Sequence, residues 1–215
     1  MTAILYRHRA IRLLLVALSV CVASGIMVLP ASASTITYQR DLAAAYADHY
    51  SCNPPLTCKN TSTYPTQPSD CTNFVSQVLR AGGIPNFAQW AYFSRTQYSK
   101  SWTVVADFTS AFVNSQRASF TQLTNLSAAY TPLESGDVYV YDWGKGLGIS
   151  HVAVEAGYGA RASMYSSDGY GDYTDQHTTD RWHVPWNYGY LHPTSDISPS
   201  KMKIYDLALD STMYF

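Results

Sequence analysis

Residues 69–77 read S-D-C-T-N-F-V-S-Q, and the cysteine in third place is the group in this chain best suited to covalent chemistry. It follows Asp70, a residue type that caps helices. It precedes Phe74, Val75, Val78 and Leu79, an apolar stripe at helical spacing that stops at Gly82-Gly83. The spacing predicts a helix over residues 71–81 with Cys71 in its first turn. There, unpaired N–H groups and aligned peptide dipoles favour the thiolate, the nucleophilic form of the side chain. The same N–H groups can hold the oxyanion formed when a thiolate attacks an acyl carbon. Such a nucleophile still needs a base.

Histidines are the natural source. His151 sits in I-S-H-V-A-V-E-A-G, residues 149–157, whose alternation reads as a strand with His151, Ala153 and Glu155 on one face and Val152, Val154 and Ala156 on the other. Without Cys71, a lone strand histidine reads as surface decoration or a satisfied core group. With it, His151 is the candidate base. His177, in D-Q-H-T-T-D, belongs to the following segment and is the candidate third member that orients His151 through its other ring nitrogen. His183 and His192, in loop-like sequence flanked by proline, read as structural.

The first 33 residues carry Arg7, His8, Arg9 and Arg12, an apolar run over residues 13–22 and an ending in Pro30-Ala31-Ser32-Ala33. Charge, length and the Ala-x-Ala site predict a secretory signal peptide, cleaved to release a soluble, secreted product. The apolar run is short of the roughly 20 residues that span a bilayer. Residues 34–215 then form a single domain of ordinary size. The leader holds three of the 14 Lys and Arg and none of the 15 Asp and Glu, so 11 basic residues face 15 acidic ones in the mature chain. That mild acidity offers no basic patch for nucleic acid. Cys21 leaves with the leader. Cys52 and Cys58 flank N-P-P-L-T and are expected to close a small disulfide loop, although either could instead pair with Cys71. On the first pairing Cys71 is the leftover, free thiol.

Other elements follow from composition and period. Residues 37–50 are alanine-rich with Tyr38, Leu42, Ala45, Tyr46 and His49 at helical spacing, and a further helix is expected over 104–115. Residues 51–69, with four prolines, read as an irregular loop. G-D-V-Y-V-Y-D-W at 136–143 reads as a strand, and another should lie within 162–177. Helices first and a meander of strands after argue α+β with an antiparallel sheet.

D-C-T-N-F-V-S-Q at 70–77, A-G-G-I-P at 81–85, S-W-T at 101–103, G-D-V-Y-V-Y-D at 136–142, I-S-H-V-A-V at 149–154 and Q-H-T-T-D-R at 176–181 together resemble the bacterial putative amidase domain family. The resemblance runs from about residue 38 to 186. It implies a papain-like fold related to the NlpC-like and CHAP cell-wall enzymes, with a nucleophilic cysteine at a helix start, a histidine base on the second strand and a polar third residue on the next. Residue by residue these are Cys71, His151 and His177. The long insert at 161–175 leaves Asp168, Asp175 and Asp180 as alternatives for the third position. The resemblance further implies a monomeric, cofactor-free cysteine amidohydrolase acting on peptidoglycan or its stem peptides, in association with the cell wall.

Asn73, Trp102 and Tyr64 are candidates for the substrate cleft, Tyr64 beside the oxyanion. Asn73 and Gln77 have the alternative of fixing the Cys71 helix, and Trp102 that of filling the core. Two other readings compete. One is a non-catalytic wall- or glycan-binding module presenting the 18 Tyr and 5 Trp. The other is a zinc site made of His151, His177 and a nearby Asp, which lacks the tight ligand spacing expected of one.

Overall fold

A computed structural model describes residues 34–51, 59–160 and 169–215, which belong to one unit, Ala33–Phe215. The expected leader, the Cys52–Cys58 loop and Asp168 lie outside the described residues.

In chain order the elements are β1 (Thr35–Thr37), α1 (Arg40–Tyr50), α2 (Cys71–Ala81), β2 (Tyr92–Ser94), β3 (Gln97–Tyr98), a 3-10 turn (Lys100–Trp102), α3 (Val105–Asn114), β4 (Ala118–Leu123), β5 (Val138–Asp142), β6 (His151–Ala160), β7 (Tyr170–Gln176), β8 (Arg181–Pro185), α4 (Tyr188–Leu191), β9 (Lys203–Leu209) and β10 (Thr212–Tyr214). The fold is α+β. Six strands form one antiparallel sheet in the order β4-β9-β5-β6-β7-β8.

Strand alternation divides the interior. Val138 and Val140 of β5, with Val152 and Val154 of β6, face α1, α2 and α3 and join Phe74, Val78, Leu79, Trp102, Phe108 and Phe112 in the main core. Tyr139, Tyr141 and Ala153 point the other way and pack on Trp186, Met202 and Ile204. This is the division of faces that the period of two in β6 predicts. Residue 37 proves to be strand and not helix: the β-branched run Thr35-Ile36-Thr37 pairs with β10, and α1 begins three residues later.

α2 is held firmly at its C-terminal end. Its cap is Gly82, where a Cβ would collide with the Tyr38 ring. The Tyr38 hydroxyl in turn donates to the carbonyl of Gly136 at 2.8 Å, at the entry to β5. The helix is buried from Cys71 through Leu79, so its amides and hydroxyls need partners as well as its apolar stripe.

Candidate active site

Cys71 is the first residue of α2 and His151 the first of β6, and the two elements pack together. The fold thus brings the expected nucleophile and base to one place. Both are buried, Cys71 at 2% and His151 at 7% exposure. Burial alone pushes the thiol up. The hydrogen bond and charge of His151 outweigh it, aided by the Val152 N–H and the Thr72 hydroxyl, and bring the thiol from 9.0 down to about 6. At neutral pH the sulfur is therefore largely thiolate. The His151 ring is flanked by Tyr141 and Trp143, each with its centroid 5.5 Å away. Its Nε2 is buried without a hydrogen-bond partner among the described residues.

His177 does not supply that partner, contrary to the expectation for a third member. It lies at the start of the connection from β7 to β8, which folds against the N-terminus of α2. There Nε2 donates to the Tyr50 carbonyl at 2.8 Å and Nδ1 meets Asp70 Oδ2 at 2.7 Å. Both ring nitrogens are used, and the ring stacks on Phe74 with centroids 4.0 Å apart. Burial would raise the Asp70 carboxyl, but hydrogen bonds from His177, from Asn73 Nδ2 and from the Gln67 N–H hold it below its ordinary range. The ring is thus fixed between the Asp70 carboxylate and the Tyr50 carbonyl, with no nitrogen left over for His151.

Asp70 occupies the N-cap position, yet its side chain makes no capping bond to α2. The cap comes from across the sheet. Thr178 Oγ1 accepts the N–H of Asp70 at 2.8 Å and that of Cys71 at 3.0 Å, from a backbone held at φ 81°. The Cys71 N–H, expected to be free for an oxyanion, is engaged in this resting arrangement. The physical reason is that a buried helix start cannot leave its donors bare.

Three other candidates are placed away from a binding role. Asn73 is 1% exposed and spends both ends of its amide inside, donating to Pro65 O and Asp70 Oδ1 and accepting from Trp102 Nε1, all at 2.9 Å. Trp102 is fully buried, stacked on Trp90 at 4.8 Å. Tyr64 stacks on Trp102 at 5.9 Å and lies tilted against Tyr92 at 4.8 Å, and belongs to that aromatic pile. Gln77 accepts from Tyr46 and fixes α2 to α1. Of the alternative third residues, Asp175 accepts the His183 N–H at 2.8 Å, and Asp180 pairs with Lys59 at 3.7 Å.

A cavity of about 340 Å³ opens beside His151, lined among others by Trp143, Gln176, Thr178, Arg181 and His192. Sequence reasoning singled out the Q-H-T-T-D-R motif for its histidine. The neighbours Gln176, Thr178, Thr179 and Arg181 are the ones that reach the cavity. His192, read as structural, also borders it, whereas His183 lies in β8 and pairs with Asp48 at 2.8 Å. The proposed His151–His177 zinc set is unavailable, because both nitrogens of His177 are occupied. Asp48, Asp175 and His183 do bring one ligand atom each within 4.8 Å of one another and could hold a cation.

No helix among the described residues is long and apolar enough to cross a membrane. No solved structure matches the chain. An uncharacterized protein of Bacillus subtilis (strain 168), YjcM, is 32% identical over 158 residues, covering 70% of this chain and 33% of that relative. The chain thus spans about a third of the relative's length. The family described as the putative amidase domain, a description that denotes hydrolases acting on C–N bonds, matches residues 37–199, which include Cys71, His151 and Thr178. The chain belongs to the putative amidase domain family.

Proposed function

We propose that this protein is a cysteine amidohydrolase. The observation that carries the reading is Cys71 buried at the start of α2, packed against the strand that His151 begins, where the His151 imidazole draws the thiol down to about 6. The thiolate attacks the carbonyl carbon of an amide, forming a C–S bond and moving the C=O electron pair onto oxygen. Collapse of that oxyanion breaks the C–N bond, and the departing nitrogen takes a proton from His151. Water then loses a proton to His151 and attacks the thioester, the C–S bond breaks, and the thiolate is restored. His151 acts as acid and base in turn.

The substrate proposed is an amide of peptidoglycan, in its stem peptides or where these join the sugar. The support is the signal-like sequence of residues 1–33 and the resemblance to the papain-like, NlpC-like and CHAP cell-wall enzymes; on the same grounds the protein is proposed to be secreted. The test is incubation of purified peptidoglycan with the wild type and with Cys71→Ala, with mass analysis of the soluble fragments. New amine termini that depend on Cys71 support the proposal. Release unaffected by Cys71→Ala, or binding to peptidoglycan without cleavage, sinks it in favour of a metal-dependent enzyme or a binding module respectively.

A further inference from the structure

A threonine hydroxyl has two lone pairs and one proton. At Thr178 two N–H donors, those of Asp70 and Cys71, converge on Oγ1 at 2.8 and 3.0 Å and fill its capacity to accept. Neither backbone nitrogen can accept a hydrogen bond in return. The hydroxyl proton must therefore point elsewhere, and Thr178 borders the same cavity as His151. A hydroxyl saturated by donors is also polarised toward giving up its own hydrogen bond, since linked bonds strengthen one another.

Resting on the reading of Cys71 as nucleophile, we propose that Thr178 is a catalytic residue that donates its O–H to the oxyanion during attack on the carbonyl. The oxygen of a carbonyl attacked by Cys71 Sγ must lie close to the N–H of the same residue, the usual neighbour of a nucleophile at a helix start. That N–H already donates to Thr178 Oγ1, so an oxyanion formed beside it comes within reach of the Thr178 hydroxyl. The donor is fixed before substrate arrives. Its backbone is held at φ 81°, in the left-handed region that a β-branched residue seldom enters. On one side of it His177 is anchored to Asp70 and Tyr50, and on the other the Thr179 carbonyl accepts from Gln176 Nε2 at 3.1 Å. A pre-placed donor of this kind needs no reorganisation as charge develops.

The experiment compares two reactions of the same sulfur. Acylation by p-nitrophenyl acetate passes through an oxyanion. Alkylation by iodoacetamide, a displacement at a saturated carbon, forms none at the site attacked. The ratio of the two rates cancels changes in the thiol itself. Thr178→Val keeps the branching and volume, and is expected to lower acylation by about 10²–10³-fold while changing alkylation by less than about threefold. Thr178→Ser should restore the ratio. Thr178→Asp keeps the capacity to accept both N–H groups while replacing the donor by a negative charge that repels an oxyanion, so even where the valine variant folds poorly its ratio should fall at least as far as for valine. An equal loss in both reactions, no loss in either, or an unchanged ratio in Thr178→Asp overturns the proposal and leaves Thr178 as a helix cap. Wild-type protein that reacts with neither reagent at Cys71 instead overturns the reading of the nucleophile.

Discussion

Replacing His151 by alanine is the sharpest perturbation of the site. Lowering the thiol from 9.0 to about 6 corresponds to about 4 kcal/mol of preference for the thiolate. His151 supplies both of the largest contributions that lower it, against a burial that raises it. With the imidazole gone, the Val152 N–H and Thr72 hydroxyl remain against undiminished burial, and the thiol returns to 9 or above. At pH 7 the thiolate fraction then falls from roughly 90% to about 1%. The alkylation rate at that pH does not fall as far, because a more basic thiolate is a better nucleophile. With a Brønsted slope of about 0.4–0.5, a gain of roughly 15–30-fold in intrinsic reactivity leaves a net loss of only about 3–6-fold. A single-pH rate therefore conceals the effect. The assay is iodoacetamide alkylation from pH 4 to 10, followed by peptide mapping of Cys71, with thermal unfolding to establish that the variant is folded. The wild-type midpoint should lie near 6 and that of His151→Ala at 9 or higher. A folded His151→Ala protein whose midpoint stays near 6 would refute the pairing, and a wild-type midpoint near 9 would refute the activation itself.

Two further predictions concern the supports of the site. His177→Gln removes the shortest hydrogen-bond partner of the buried Asp70 carboxylate, and should lower the unfolding free energy in urea by about 1.5–3 kcal/mol, with retention of wild-type stability excluding that bond as a support. Asp70 has its native carboxyl held below the unfolded value of 3.8, so its stabilisation is fully present above that value and is lost as the pH falls through the depressed native one. Acid unfolding of the wild type should therefore show a stability loss below about pH 4 that Asp70→Asn lacks, and parallel curves for the two would contradict it.

Much of the site was legible because its local signals agree. The apolar stripe and Gly82 marked α2 to within a residue, and alternation in β6 separated Val152 and Val154 from Ala153 correctly. Cys71 and His151 could be paired because each sits at the start of an element whose type was plain. What failed was the assignment of bonds between elements. Asp70 looks like a cap in sequence because its type and position suit one, but its carboxylate goes to His177, a partner 107 positions away. Thr178 carried no signal of its own, since a threonine beside a histidine is unremarkable until the chain turns it toward a helix start elsewhere. Trp102 and Asn73 were read as possible cleft residues because they share motifs with the nucleophile. Their indole and amide bond to each other at 2.9 Å within the core. The strands at 118–123 and 203–209 escaped because neither is edged by a tight hairpin signal, and each takes its identity from pairing with the other.

That pairing also sets the order in which the sheet can be completed. β9 lies between β4 and β5, so the edge strand β4 cannot join the sheet until residues 203–209 are in place. β5 is the strand against which β6 and His151 register. A nascent chain that had emerged as far as residue 186 would hold Cys71, His151 and Thr178 and still lack the strand that joins β4 to the rest of the sheet. Contacts so distant in sequence form late and slowly. The sheet that carries His151 is thus completed from the far end of the chain, with residues 203–209 pairing on one side with β5 and on the other with β4.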